Sequence, residues 1–231
     1  MVKKKNTKDV TEERLEAVEE ALTRTERILE KHQKNILTGI AVVIIIVLGY
    51  FSFQKYYLEP MENEAAEQMW MAEKYFGLDS LQMALDGDGN YDGFLDIIDE
   101  YGITKAANLS KYYSGVCYLR LGEYENAIDY LSQFKSSDQV LAPMALGAIG
   151  DAYMELDETS KAASYYLDAA NKEENAFTAP VFIQKAAWAY ELLENYDKAL
   201  QLQNRLRNDF PNSAEGREAE KYIAFLKAKI K

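Results

Sequence analysis

Histidine and cysteine each occur once in this 231-residue chain, as His32 and Cys117. A single cysteine excludes an internal disulfide. A catalytic thiol would want a histidine nearby, and the residues after 53 have none. Cys117 lies in YYSGVCYL, a small-residue helical run that suits a buried structural thiol. His32 has no second His or Cys near it and so lacks the companions of a metal ligand. A nucleophile elbow, a phosphate-binding glycine loop and a paired-histidine metal site are also missing. Carboxylate pairs such as Asp157/Glu158 and Glu173/Glu174 have no apolar pocket in prospect to raise a pKa, and read as solvated surface. The expectation is a protein that is not an enzyme and needs no cofactor. Cations are scarce as well: residues 54–231 hold 17 Lys/Arg against 30 Asp/Glu, and a domain this acidic repels nucleic acid.

Charge is absent altogether from the 18 residues 36–53, ILTGIAVVIIIVLGYFSF. An uncharged apolar run of that length predicts a membrane-spanning helix. The competing reading, a buried core helix, would show a polar face, and here only Thr38 and Ser52 interrupt the apolar surface. No small-residue cleavage site follows; Tyr50, Phe51, Phe53, Tyr56 and Tyr57 come instead, which argues against a cleaved leader and suits the headgroup level. Arg24, Arg27, Lys31 and Lys34 precede the run, whereas Glu59, Glu62, Glu64 and Glu67 follow it, so the positive-inside bias puts the N-terminus in the cytoplasm. In a bacterium the span would lie in the inner membrane with the C-terminal domain periplasmic.

The layout that follows is a charged tail (1–35), the span (36–53), a juxtamembrane linker (54–61) and a soluble domain (62–231) large enough for one sizeable core. The tail holds 9 Lys/Arg and 8 Asp/Glu. Its cluster Lys3, Lys4, Lys5 and Lys8 is a solvated end or a contact for anionic lipid. From Thr11, placed to cap a helix ahead of Glu12 and Glu13, the residues Leu15, Val18, Leu22, Thr25 and Leu29 keep heptad spacing. That pattern allows self-association or docking on a membrane partner.

Internal repeats decide the fold of the domain. KYYSGVCYLRLGEYENAIDYL, LGAIGDAYMELDETSKAASYY and IQKAAWAYELLENYDKALQLQ align so that Gly115, Gly150 and Ala187 correspond, as do Tyr118, Tyr153 and Tyr190, and Ala127, Ala162 and Ala199. Each unit reads as two helices joined at Leu121-Gly122-Glu123, Leu156-Asp157-Glu158 or Leu193-Glu194-Asn195, with Gly122 free to take the left-handed conformation. Pro211 stops one helix and Ser213 can cap the next. Ala72, Tyr75 and Ala84 repeat the same offsets in a degenerate first unit (62–107), interrupted at Asp86-Gly87-Asp88-Gly89-Asn90. A final helix (213–231) carries Ala219, Ile223, Leu226 and Ile230 on one face and caps the stack.

The pattern of small residue, Tyr, Gly, Tyr, Ala and Pro over residues 108–212 resembles the tetratricopeptide repeat. That resemblance implies an all-α solenoid of about four helix pairs, in which the first helix of each unit lines a concave groove. The corresponding positions are Tyr112, Val116 and Arg120, then Asp151, Met154 and Glu155, then Gln184, Trp188 and Glu191. Aromatics, Met and carboxylates together suit an extended peptide or a partner helix with some positive charge. The competing reading puts Val116 and Trp188 in the core between repeats. One further motif has ligand spacing. Asp88, Asn90, Asp92, Asp96 and Asp99 fall at positions 1, 3, 5, 9 and 12 of a calcium loop, with Gly93 at 6, but Asp replaces the usual Glu at 12. Otherwise this is a Gly-rich loop before a helix that Asp92 caps. The whole layout resembles the YfgM-type ancillary proteins of the Sec translocon. It implies association with the SecYEG channel, periplasmic chaperones and exported clients. A structural adaptor for envelope or division assemblies is the alternative.

Overall fold

The computed structural model describes the backbone of residues 7–230, with side-chain surroundings for Val18 and for 31–230. Every regular element among the described residues is helical. The chain divides into two units, Met1–Tyr57 and Leu58–Lys231.

In the first unit α1, Thr7–Phe53, runs from within the charged tail through the apolar run as one helix. It begins before Thr11, so Thr11 lies inside a helix and does not cap one. The stretch containing residues 36–53 is long and apolar enough to cross a membrane, and none of it is buried. Val18 and His32 are exposed. The other heptad residues Leu15, Leu22, Thr25 and Leu29, and the Lys3–Lys5 and Lys8 cluster, lie outside the described side chains. The segment expected as a linker is also helical: a π-helical turn, Gln54–Leu58, precedes α2, Glu59–Gly77, which carries Pro60 near its start.

The second unit is a stack of helical hairpins. After α2 come α3, Leu81–Asp86, and α4, Phe94–Glu100. Three regular pairs follow: α5, Lys105–Leu121, with α6, Tyr124–Gln133; α7, Leu141–Glu155, with α8, Thr159–Lys172; and α9, Ala179–Leu192, with α10, Tyr196–Asp209. The last helix, α11, is Ala214–Lys229. The aligned small residues mark where paired helices touch. A Cβ on Gly115 would sit 2.4 Å from Leu131 Cγ, and one on Gly150 would sit 2.6 Å from Tyr166 Cε1. Ala84, Ala127, Ala162 and Ala199 are buried at the matching point of each second helix. Tyr118 stacks on Tyr130 and Tyr153 on Tyr165, both with ring centroids 5.3 Å apart. Burial of this kind, summed along the stack, is the main source of its stability.

The hairpin turns are alike in a way the sequence hides. Asp79, Gly122, Asp157 and Glu194 all have positive φ, between 55° and 83°. Each lies four residues after a unit's tyrosine. The next N–H, of Ser80, Glu123, Glu158 or Asn195, donates back to the carbonyl of Tyr75, Tyr118, Tyr153 or Tyr190 at 2.8–2.9 Å. This six-to-one bond closes a helix on a left-handed residue. Only one of the four is glycine, and the left-handed region disfavours any Cβ by roughly 1–2 kcal/mol. Glu194→Gly is therefore expected to stabilise the protein by about 0.5–1 kcal/mol, after allowance for the greater unfolded-state freedom of glycine. Urea denaturation checks this; an unchanged midpoint would show that the left-handed turn carries no strain at Glu194.

Side chains cap the starts of α5, α10 and α11. Thr104 accepts from Ala107 N–H at 3.0 Å and Ser213 from Gly216 N–H at 2.9 Å. The Glu62 carboxylate of α2 accepts the N–H groups of Lys105 and Ala106 at 2.7 and 3.2 Å, tying the degenerate unit to the start of α5. Ala219, Ile223 and Leu226 bury the inner face of α11, while Ile230, expected on that face, is exposed.

Candidate functional site

The first helices differ in what they show to solvent. On α5, Val116 is half-buried against the core, and Tyr112 packs on Phe134 at 5.3 Å. Arg120 is exposed, but it donates to Asp79 at 2.6 Å and lies over the Phe76 ring. On α7, Asp151 is held from two sides. Lys185 Nζ reaches both carboxylate oxygens at 2.7 and 2.8 Å, and the Tyr166 hydroxyl donates at 2.7 Å. Burial, and then this hydrogen bond to Asp151, push the Tyr166 hydroxyl pKa well above its ordinary value. Asp151 thus joins α7, α8 and α9. Met154 packs into the core and Glu155 accepts from the Tyr124 hydroxyl at 3.3 Å.

On α9 the picture changes. Trp188 exposes 47% of its surface and Leu192 67%. With Val181 and Lys185 they face Tyr222 and Phe225 of α11 across two adjoining clefts of about 260 and 420 Å³. Trp188 and Tyr222 line both clefts. Glu215 and Glu218 edge the first, and Glu191 and Lys229 the second. Gln184, only 5% exposed, also lines the first. Gln203 Nε2 donates to Gln184 Oε1 at 3.2 Å, which leaves Gln184 Nε2 and Gln203 Oε1 without partners. A buried amide with an unused donor is uncommon and marks a place where a further acceptor would be welcome.

Of the nine groove positions read from the sequence, the structure gathers Gln184, Trp188 and Glu191 around these clefts. The α5 and α7 residues it engages mainly with neighbouring helices. Leu192, Tyr222 and Phe225 were not among the nine. Tyr222 and Phe225 lie off the Ala219–Ile223–Leu226 stripe, and aromatics outside a core stripe are the signal that could have found them.

Two carboxylates of the calcium-spaced loop, Asp88 and Asp96, are engaged by the fold itself. Asp88 accepts the Tyr75 hydroxyl at 2.6 Å and the N–H groups of Asn90 and Tyr91 at 2.9 Å. These bonds, the tyrosine first, lower the Asp88 pKa. Gly93 stands at the N-cap of α4, and Asp96, not Asp92, accepts its N–H at 3.2 Å. Among the described residues no cluster of three or more His, Cys, Asp or Glu could hold a metal ion. Cys117 is buried, and that burial pushes its thiol up to about 12.

An all-helical stack of hairpins with an open, aromatic-lined cleft is the architecture of a repeat scaffold. Residues 110–138 and 183–213 match the tetratricopeptide repeat family model, which covers the hairpins on either side of α7 and α8 in part and reaches α9 at the cleft. No curated protein matches the chain. The matched repeats point to a protein–protein interaction role.

Proposed function

We propose that the chain is a single-pass, membrane-anchored scaffold that holds an extended or helical segment of a protein partner between α9 and α11. The observation that carries this reading is the exposed aromatic surface of Trp188 and Phe225, with the half-buried Tyr222 lining the same clefts. Large aromatics left in water at a concave surface are where binding energy concentrates. Glu191, Glu215 and Glu218 around it favour a partner with positive charge. Anchoring rests on residues 36–53, and the cations before them support a cytoplasmic N-terminus. A tethered groove works at high effective concentration on the membrane face.

The resemblance in layout to the YfgM-type proteins favours partners in protein export: the SecYEG channel, periplasmic chaperones and exported clients. The heptad spacing of Leu15, Val18, Leu22, Thr25 and Leu29 favours the second reading, an adaptor for envelope or division assemblies gathered by the tail. A photo-crosslinking residue at Leu192, in intact cells, separates them by the identity of the products. Export components support the first reading and division or wall-assembly proteins the second. Trp188→Ala should weaken capture by about 30-fold, the scale of a truncated aromatic hot spot. Capture unchanged by Trp188→Ala would remove the cleft from the function.

A further inference from the structure

A second cleft lies away from α9 and α11, and its origin is a missing helical turn. Helices α8 and α10 each run 14 residues, whereas α6 runs 10. The chain leaves α6 at Phe134 in an extended conformation. The loop that replaces the final turn is fixed in place. The Asn108 side chain both accepts from Lys135 N–H at 3.0 Å and donates to Lys135 O at 2.8 Å. Asp138 accepts the N–H groups of Val140 and Leu141 at 2.8 Å, and Asn175 Nδ2 donates to Gln139 O at 2.8 Å.

Between this loop, α7 and α8 is an open cleft of about 470 Å³. Leu131, Phe134, Leu146, Ile149 and Tyr165 line it with apolar surface, and two further α7 residues there, Ala142 and Ala145, have side chains of a single methyl. Lys135 and Lys172 also line it, with Ser132 and Ser136. Among the described residues neither lysine is in an ion pair. No carboxylate lines this cleft, although acids outnumber bases 30 to 17 over residues 54–231. The α9–α11 clefts carry glutamates instead. Cationic lining over an apolar floor, at a volume ordinary for small-molecule sites, selects for a ligand with an apolar body and one anionic end.

We propose that this cleft binds a small amphiphilic carboxylate of the medium-chain fatty-acid type. Its alkyl body fills the place of the absent α6 turn, and its carboxylate meets Lys135 and Lys172. The test is methyl NMR of the full chain in lipid nanodiscs, titrated with sodium octanoate. Saturating shifts are expected at the methyls of Ala142, Ala145, Leu146 and Ile149, with octylammonium producing none. The double substitution Lys135→Glu/Lys172→Glu should weaken octanoate binding by at least about tenfold, the scale of charge-assisted hydrogen bonds. Ala145→Leu should block the cleft and abolish the Ala142 shift while the rest of the spectrum is kept. The proposal is overturned by absence of saturable shifts, by equal binding of octylammonium, or by binding that survives both variants.

Discussion

Phe94→Ala is expected to lower stability by about 4 kcal/mol, the usual scale for emptying a fully buried phenylalanine site. Phe94 opens the seven-residue α4 and has no exposed surface. Its ring stacks on Tyr113 of α5 with centroids 5.0 Å apart and planes at 7°, and Tyr113 in turn meets Phe76 of α2 edge-on at 5.0 Å. These three rings therefore join α2 and α4 of the degenerate unit to α5 of the first regular pair. Helices as short as α3 and α4 do not hold themselves together, so their order depends on this contact and on Ile97. Because a repeat stack is coupled mainly to nearest neighbours, the damage should be local. Hydrogen exchange should accelerate in α2–α5 and change little in α9–α11. Uniform acceleration through α11 would mean that the stack unfolds as one cooperative body.

Gly216→Ala should be nearly as costly, at about 3 kcal/mol, and should also disable the cleft. A Cβ at this position would lie 1.9 Å from the Phe210 carbonyl oxygen and 3.0 Å from that of Leu206. Both are backbone atoms and cannot rotate aside, so α11 must move off α10. Overpacking of this kind typically costs about 1–3 kcal/mol, and the Ser213 cap on Gly216 N–H is strained with it. The functional consequence follows from position. Displacing α11 carries Tyr222 and Phe225 away from Trp188. The chain has two tryptophans, so a Trp70→Phe background leaves Trp188 as the only indole reporter. Its emission should shift to the red in Gly216→Ala, and partner capture should fall. An unchanged spectrum would show that α11 absorbs the methyl without leaving the groove.

The hairpins were legible in the sequence because each unit repeats a small residue, a tyrosine and an alanine at fixed offsets, and each offset has one packing role. Gly115 and Gly150 admit a side chain of the second helix, Ala127 and Ala162 are buried opposite, and Ser213 caps as its position predicts. The left-handed residues at 79, 157 and 194 were not legible, because the usual sign, glycine, stands only at 122. The missing turn of α6 was hidden for a different reason. Its consequence is an absence of packing, and the residues around it are the ordinary Ala, Leu and Tyr of a repeat.

Of the nine positions read from the repeat pattern, only Gln184, Trp188 and Glu191 line the α9–α11 clefts. Carrying first-helix positions across from a repeat pattern fixes which face of a helix is meant, but not whether a neighbour covers it. Trp188 stays open to solvent, while the corresponding Asp151 is closed over by Lys185 and Tyr166, and Val116 by core contacts. The aromatic half of the cleft, Tyr222 and Phe225, belongs to a helix outside the repeat pattern altogether.

The four hairpin turns share one main-chain bond, from the residue after a left-handed position back to the tyrosine carbonyl five residues earlier. The opening between the two arms of each unit is thus gauged by backbone, whatever side chain stands at 79, 122, 157 or 194. Exchange of exposed residues on α5, α7 or α9 leaves that gauge untouched. The surface of this protein can therefore be rewritten for another partner, one unit at a time, without altering the spacing on which the next unit is laid.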